Sequence, residues 1–230
     1  MKQLLPAAAL FVPLVLVCDG SSLTRQLLLG AFTAIFLAIA ASHTRVDARA
    51  ILCAVCLATA GEVFASILWR LYSYRFTTLI PLYVPFGHGL FYLLAAATAR
   101  ERVLQRHERT IIAFVLIGGS IVAIAQLALM NDQWGMLWWI GAVVLIARSN
   151  HKLLASMCCV YTMALEWLGT GLGNWRWAAD VPLLHLRSAN PPSGVGILYI
   201  LVDLVTCIII GAGFSSHNWQ TDDRTRTAEV

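Results

Sequence analysis

The chain alternates apolar segments with short polar runs along its whole length. Eight segments are predominantly apolar, at positions 4–18, 27–41, 50–71, 87–99, 110–130, 134–147, 153–170 and 195–213. A helix needs about 20 apolar residues to cross the roughly 30 Å core of a bilayer, so the shorter segments must extend into their flanks or the bilayer must thin. The pattern predicts an all-α, polytopic membrane helical bundle with about eight transmembrane helices.

Composition favours a membrane protein over a soluble one. The 230 residues are 59% hydrophobic and 12% charged, whereas a soluble domain is about 45–50% apolar and about 25% charged. The mean hydropathy is +0.75. We therefore predict a multi-pass integral membrane protein with membrane lipids as its immediate partners.

The first apolar segment is either a cleavable signal peptide or a transmembrane helix that is retained. No small-x-small cleavage pattern precedes Asp19. Val17 before Cys18 does not fit a lipoprotein signal, which requires a small residue at that position. These features favour the retained helix.

The basic residues are distributed unevenly between the two ends of the apolar segments. Eleven of the sixteen lie on the side of the N-terminus, namely Lys2, Arg45, Arg49, Arg100, Arg102, Arg106, Arg109, Arg148, Lys152, Arg224 and Arg226. The opposite side carries Arg25, Arg70, Arg75, Arg176 and Arg187. The positive-inside rule then predicts cytoplasmic termini, in a cell inner membrane, and outward-facing loops at 72–86 and 174–194. This clustering reports topology, so no nucleic-acid binding is predicted.

Two stretches of the chain share one order of features, which indicates an internal repeat. The first runs Glu62, Trp69, Tyr72, Tyr74, Pro81, Pro85, Gly87, Gly89, Tyr92. The second runs Glu166, Trp175, Trp177, Pro182, Pro191, Gly194, Gly196, Tyr199. We predict two parallel four-helix repeats, 1–104 and 105–214, and a polar cytoplasmic tail, 215–230. The alternative is chance, because aromatic residues are common at interfaces and proline and glycine in loops.

Three carboxylates fall inside apolar segments, where a charged side chain costs at least about 2.5 kcal/mol. Glu62, Glu166 and Asp203 lie at similar depth, so they could line one outward-facing cavity. The functional hypothesis is acid/base catalysis, in which one acid donates a proton and another accepts one. The structural alternative is that each glutamate fixes its own loop through a nearby arginine. Those arginines are Arg70 and Arg75 in the first half and Arg176 and Arg187 in the second.

His88 is the histidine best placed for chemistry. It stands between Gly87 and Gly89 at the outer start of the fourth helix, and an imidazole titrates near neutrality. We predict that it assists catalysis, and the alternative is a hydrogen-bonded anchor. Carboxylates and imidazole can bind iron, manganese or zinc. No metal signature accompanies them, so we assign no metal and leave the cofactor open.

Aromatic and basic residues cluster where the two outer loops meet the membrane. They are Trp69, Tyr72, Tyr74, Arg75, Trp175, Arg176, Trp177 and His185. One interpretation is a substrate-binding mouth, in which rings stack on an apolar or isoprenoid chain and arginines bind a phosphate or carboxylate head. The other is an aromatic belt with arginines that reach the interface.

Several common enzyme motifs are absent from the sequence. It contains no Walker loop, no nucleophile elbow and no dinucleotide fingerprint. The string Glu-Trp-Leu-Gly-Thr-Gly at 166–171, followed by aromatic residues and Pro182, resembles membrane carotenoid hydratases and cyclases. The resemblance covers this short stretch alone and assigns no residue a role. It implies an apolar substrate.

The leading hypothesis is an intramembrane enzyme or binding protein for a lipid-like or isoprenoid substrate that enters from the outer leaflet. Glu62 and Glu166 would form its acid/base pair, with His88 assisting. A second hypothesis is a small proton-coupled transporter whose halves rock about a carboxylate site. A third is a non-catalytic membrane assembly subunit. Each is compatible with a homo-oligomer.

Overall fold

The computed structural model of the chain describes residues 3–44 and 46–210, which form helices and two short strands. The elements in chain order are α1 (Leu4–Val17), α2 (Leu23–Ser42), α3 (Ala48–Glu62), a π-helical segment (Val63–Leu68), β1 (Tyr72–Tyr74), α4 (Val84–Ala99), α5 (Arg102–Arg106), α6 (Glu108–Met130), α7 (Gln133–Arg148), α8 (Lys152–Leu172), β2 (Trp175–Trp177) and α9 (Ile197–Ile210). The predicted all-α class is confirmed. The predicted tail 215–230 and the basic residues Lys2, Arg45, Arg224 and Arg226 lie outside the described residues.

Each of the eight predicted apolar segments contains a helix, but the helices differ in length. Four are long and apolar enough to cross a membrane: Leu23–Ser42, Ala48–Leu68, Glu108–Met130 and Lys152–Leu172. The helices α1, α4 and α9 contain 14 to 16 described residues each. At 1.5 Å per residue they measure about 21–24 Å, which is less than a bilayer core. Eight membrane crossings therefore remain a prediction.

The helices α3, α4, α8 and α9 form the centre of the bundle. Helix α4 packs against α2, α3 and α8, and α9 packs against α3, α7 and α8. Two glycines allow these close approaches. A Cβ added to Gly89 would lie 2.6 Å from Val55 and 2.8 Å from Leu37, and one added to Gly196 would lie 2.7 Å from the Cα of Cys159. Small residues at such contacts are the usual basis of helix packing in membranes.

The outer helices expose large apolar side chains. On α6, Phe114 is 77% exposed and Leu129 is 84% exposed. Ile117, Ile121 and Ile124 lie on the same helix and are also exposed. Soluble monomers rarely present so continuous an apolar face, whereas lipid chains cover one without cost.

Local backbone features define one end of α3 and one end of α8. Asp47 caps α3, since its side chain accepts a hydrogen bond from the Arg49 backbone N–H at 2.8 Å. The Arg49 side chain and backbone hold the pKa of Asp47 below its usual value. Helix α8 ends at Gly173, whose φ of 74° lies in the left-handed region that glycine adopts readily. The chain then turns directly into β2.

The two long outer loops join each other through an antiparallel ribbon. Strand β1 pairs with β2, and Ser73 faces Arg176 at the centre of the register. The backbone bond from Arg75 N–H to the Asn174 carbonyl, at 2.8 Å, extends the pairing beyond the strands. The loops that the sequence pattern matched are therefore in direct contact, although the two-repeat architecture itself stays a prediction.

A buried aspartate ties down the second outer loop. Asp132 stands at the start of α7 and is fully buried. Its carboxylate accepts hydrogen bonds from the backbone N–H groups of Gly135 at 3.1 Å, Ala189 at 2.9 Å and Ser193 at 2.8 Å. These bonds connect the α6–α7 turn to the segment that precedes α9.

Asp19, in the first half of the chain, is a second buried aspartate that binds residues of the outer loops. It lies between α1 and α2 and is 5% exposed. Its carboxylate accepts hydrogen bonds from Gln26 Nε2 at 2.7 Å, the Tyr83 hydroxyl at 2.8 Å and Asn174 Nδ2 at 3.2 Å. Burial and the Asp19 carboxylate raise the pKa of Tyr83, so its hydroxyl remains a donor. Asp19 therefore holds residues of both outer loops.

Candidate functional site

One cavity of about 380 Å³ lies between α3, α4, α8 and α9, and the ribbon forms part of its wall. Its surface is mostly apolar. Glu62, His88 and Glu166 all line it. Helices from both halves of the chain thus bring together three of the four predicted catalytic residues.

Glu62 is the last residue of α3 and is 9% exposed. The Tyr74 hydroxyl donates to its Oε2 at 2.7 Å, and His88 Nε2 lies 3.0 Å from its Oε1. Burial and the Glu62 carboxylate raise the pKa of Tyr74, so this phenol stays protonated and donates. The π-helical segment begins directly after Glu62, and π-turns of this kind are frequent at functional sites.

His88 connects Glu62 to a residue of the second half. Its Nδ1 forms a short hydrogen bond with the hydroxyl of Tyr199 on α9. Both ring nitrogens are therefore occupied, and Glu62, His88 and Tyr199 form a carboxylate–imidazole–phenol relay. Which atom carries each proton depends on the tautomer of the ring. The relay can move a proton between Tyr199, which lines the cavity, and Glu62.

Glu166 has a different environment from Glu62. The indole N–H groups of Trp175 and Trp177 both donate to its Oε2, each at 2.8 Å. Its Oε1 forms no hydrogen bond within the described residues. Two carboxylates with unlike partners in one cavity are the arrangement expected for a proton donor and a proton acceptor.

The structural alternative required a nearby arginine to anchor each glutamate. Within the described ranges neither glutamate forms an ion pair with an arginine. Arg187 instead binds Asp180 at 2.8 Å, and the Arg75 guanidinium lies 4.9 Å from the centre of the Phe76 ring. Tyr74 and His88 bind Glu62, and Trp175 and Trp177 bind Glu166, while the outer arginines are exposed.

The aromatic part of the predicted mouth lines the cavity, but the basic part does not. Trp69, Tyr72, Tyr74, Trp175 and Trp177 are lining residues. Arg75, Arg176 and His185 are exposed and lie outside the lining. Side chains alternate between the two faces of a strand, so Arg176 points away from the face that Trp175 and Trp177 share.

Asp203, expected to line the same cavity, lies outside it. It is one helical turn beyond Tyr199 on α9 and is 7% exposed. The Tyr92 hydroxyl donates to its Oδ1 at 3.3 Å. Tyr92 is fully buried, so Asp203 belongs to a contact between α4 and α9 below the site.

Tyr199 and Trp138 are two of the lining residues that were not assigned to the site from the sequence. Tyr199 closes the second repeated stretch, and its place one turn from Asp203 was the available signal. Trp138 on α7 also lines the cavity, and its ring stands nearly perpendicular to that of Trp177 with centroids 5.8 Å apart. Its spacing of four residues from Trp134 places both rings on one face of α7.

No family model matches the chain, and no curated protein or solved structure is significantly similar to it. The fold and the cavity are therefore the basis for describing this protein. Residues 3–44 and 46–210 contain no group of three or more His, Cys, Asp and Glu side chains placed to hold a metal ion. The described site is an apolar cavity in a helical bundle, with paired acids and a histidine.

Gly169→Ala is expected to disturb the partners of Glu166. An added Cβ would overlap the indole ring of Trp175, so the ring must shift and weaken its bond to Glu166. Overpacking of this kind costs about 1–3 kcal/mol. Thermal unfolding of the purified variant measures the loss. Gly171→Ala is the matched control because an added Cβ there meets open space, and equal melting temperatures for the two variants would contradict the packing.

Proposed function

We propose that the chain is a multi-pass inner-membrane enzyme that binds an apolar, lipid-like molecule in the cavity and transfers protons to or from it. The observation that carries the proposal is the convergence of Glu62, His88 and Glu166 on one mostly apolar cavity. A buried acid is costly unless it is paired or used. General acid/base groups on opposite sides of a bound molecule are a common use.

The proposed chemistry has two proton-transferring groups. On one side, Tyr199 exchanges a proton with the bound molecule, and His88 and Glu62 take up or supply that proton. On the other side, Glu166 Oε1 exchanges the second proton. A reaction that removes one proton and adds another, such as an isomerisation or an elimination, fits this arrangement.

The bound molecule is proposed to enter from the lipid. Lining residues that are also exposed include Gly61, Phe64, Leu201 and Val205. They lie on α3, the π-helical segment and α9, so the opening faces sideways between helices. The excess of basic residues on the side of the N-terminus supports cytoplasmic termini, with the ribbon and cavity toward the outer leaflet.

Gly87→Leu is expected to block binding of an apolar ligand. Gly87 lines the cavity, and an added Cβ meets nothing within 4 Å, so a leucine would fill free space without disturbing the fold. Four tryptophans line the cavity, and a brominated alcohol such as 12-bromododecanol should quench them. Titration in lipid nanodiscs should show an affinity at least tenfold weaker in the variant.

Gly118→Leu is the matched control for this experiment. Gly118 also has open space around an added Cβ, but it lies on α6 and does not line the cavity. Its quenching curve should match that of the unchanged protein. Identical curves for all three proteins would show that the cavity does not bind apolar ligands.

A second candidate is a proton-coupled transporter built from two repeats. The observation that favours it is the matched support of the two outer loops: Gln26 accepts from Leu82 N–H and Gln133 from Arg187 N–H, both at 3.2 Å. Gln26 lies seven positions after the buried Asp19, and Gln133 comes directly after the buried Asp132. Two similar halves around a carboxylate site could rock to expose it on alternate sides. Transport predicts substrate-dependent pH changes in proteoliposomes, which an enzyme would not produce.

A further inference from the structure

The two glutamates of the cavity differ in how their charge is balanced. Glu62 lies beside His88, which can carry a compensating positive charge. Glu166 accepts only from the neutral indoles of Trp175 and Trp177. A carboxylate surrounded by neutral donors in an apolar cavity requires either a proton or a cation from outside. Glu166 is therefore the cavity's uncompensated acid.

The described part of the cavity wall gives Glu166 no cationic partner of its own. Among the described residues that line the cavity there is no lysine and no arginine. The five arginines of the outer side, Arg25, Arg70, Arg75, Arg176 and Arg187, are all exposed. A phosphate or carboxylate head would enter next to two acids, and the described lining offers it no basic group other than His88, which is already bound to Glu62, so the cavity disfavours an anionic ligand. The arginine-bound acidic head considered from the sequence does not fit this charge distribution.

The walls beside Glu166 suit a positive charge. Trp175 and Trp177 hold the carboxylate, and the Tyr72 ring lies 4.6 Å from that of Trp177. The ring of Trp138 stands nearly perpendicular to that of Trp177, with centroids 5.8 Å apart. Aromatic faces attract ammonium groups, and aromatic cages commonly bind quaternary ammonium ligands. An adjacent carboxylate adds a direct ionic attraction in a low-dielectric space.

We propose that the natural occupant of the cavity is an amphipathic cation, with an ammonium head at Glu166 and an apolar chain toward the opening between α3 and α9. This inference rests on the proposed function, since it names the substrate class of the same site. The Leu201 and Val205 side chains border the chain, and Trp177 and Tyr72 border the head. Charge complementarity with Glu166 favours the ammonium head of the ligand, and the apolar walls favour its apolar chain.

Three probes with the same alkyl chain distinguish a cationic, a neutral and an anionic head group. Dodecyltrimethylammonium, dodecanol and dodecyl phosphate are each titrated against the protein in phosphatidylcholine nanodiscs that contain 12-bromododecanol. Displacement of the brominated alcohol restores tryptophan fluorescence. The ammonium probe should displace it at a concentration at least tenfold lower than the phosphate probe, and dodecanol should fall between them.

Glu166→Gln should remove this preference, because the glutamine can accept from both indoles but carries no charge. Asp203→Asn, an intramembrane acid outside the cavity, should keep it. If Glu166→Gln does not fold, the ranking of the three probes on the unchanged protein decides the proposal alone. Equal potency of the probes, or the phosphate as the best, would overturn the cationic head while leaving an apolar site. Failure of all three to displace the brominated alcohol would instead count against the proposed function.

Discussion

Glu62→Gln is expected to lower conversion of the lipid substrate by a factor of about 10²–10⁴, the usual contribution of acid/base catalysis. The glutamine can still accept from the Tyr74 hydroxyl, so the local fold should survive. It cannot take up a proton from His88, and it cannot stabilise a charged imidazole. The relay to Tyr199 would then have no acceptor at its end.

Mass spectrometry of the membrane lipids measures this effect across all lipid species at once. Cells that produce equal amounts of unchanged protein and variant are compared with cells that produce neither. A lipid species that changes only with the unchanged protein identifies the reaction. Asp203→Asn is the control, since Asp203 lies outside the cavity and an amide can still accept from Tyr92. Full conversion by Glu62→Gln, or an equal loss in Asp203→Asn, would refute the assigned roles.

Asp132→Ala is expected to produce the largest loss of stability. The substitution leaves three backbone N–H groups, of Gly135, Ala189 and Ser193, without their acceptor. An unsatisfied buried donor costs about 1–3 kcal/mol, so the total is on the order of 3 kcal/mol or more. For a chain of this size that corresponds to a fall of about 6–12 °C in the melting temperature. Thermal unfolding of the purified protein in detergent measures it.

Asp180→Ala provides the comparison within the same outer loop. Asp180 pairs with Arg187 at the surface, and exposed ion pairs contribute about 0–1 kcal/mol. Its melting temperature should stay within about 3 °C of the unchanged protein. Similar melting of the two variants would show that Asp132 does not hold the segment before α9.

The hydrophobic pattern located every long helix because each apolar run forms a helix and the polar runs between them form the turns and loops. It did not predict α5, since Arg102–Arg106 is a short polar helix without an apolar stripe. It also did not predict the ribbon. The strands Tyr72–Tyr74 and Trp175–Trp177 are three residues long, and their pairing depends on two loops about 100 positions apart that tertiary packing brings together.

The residues of the site could be predicted where their order along the chain indicated that they would lie close together. Glu62 and Glu166 occupy matched places before matched loops, and His88 follows the first of those loops, so their convergence could be anticipated. Asp203 was misplaced because its estimated depth did not show where the cavity ends: it lies on the same face of α9 as Tyr199 but one turn farther along, outside the cavity lining. Tyr199, four residues earlier, faces the cavity, whereas Asp203 contacts Tyr92 one turn below.

The residues that support the loops were not predictable from local pattern. Asp19 and Asp132 stand in short turns, where aspartate is common for reasons of backbone hydrogen bonding alone. Their decisive partners lie far along the chain: Tyr83 is 64 positions from Asp19, and Ser193 is 61 positions from Asp132. Such contacts become visible only when the whole bundle is assembled.

A disulfide across the ribbon tests whether the two glutamate-bearing halves of the chain meet beside one cavity. Ser73 and Arg176 are paired and exposed, and paired residues on antiparallel strands have Cα atoms about 4.5–5.5 Å apart, within the range of a disulfide. The double variant Ser73→Cys with Arg176→Cys is oxidised in membranes, and the crosslinked peptides are identified by mass spectrometry. Near-complete crosslinking within one chain is expected. Absence of the bond under oxidising conditions, or a bond only between two chains, would contradict it.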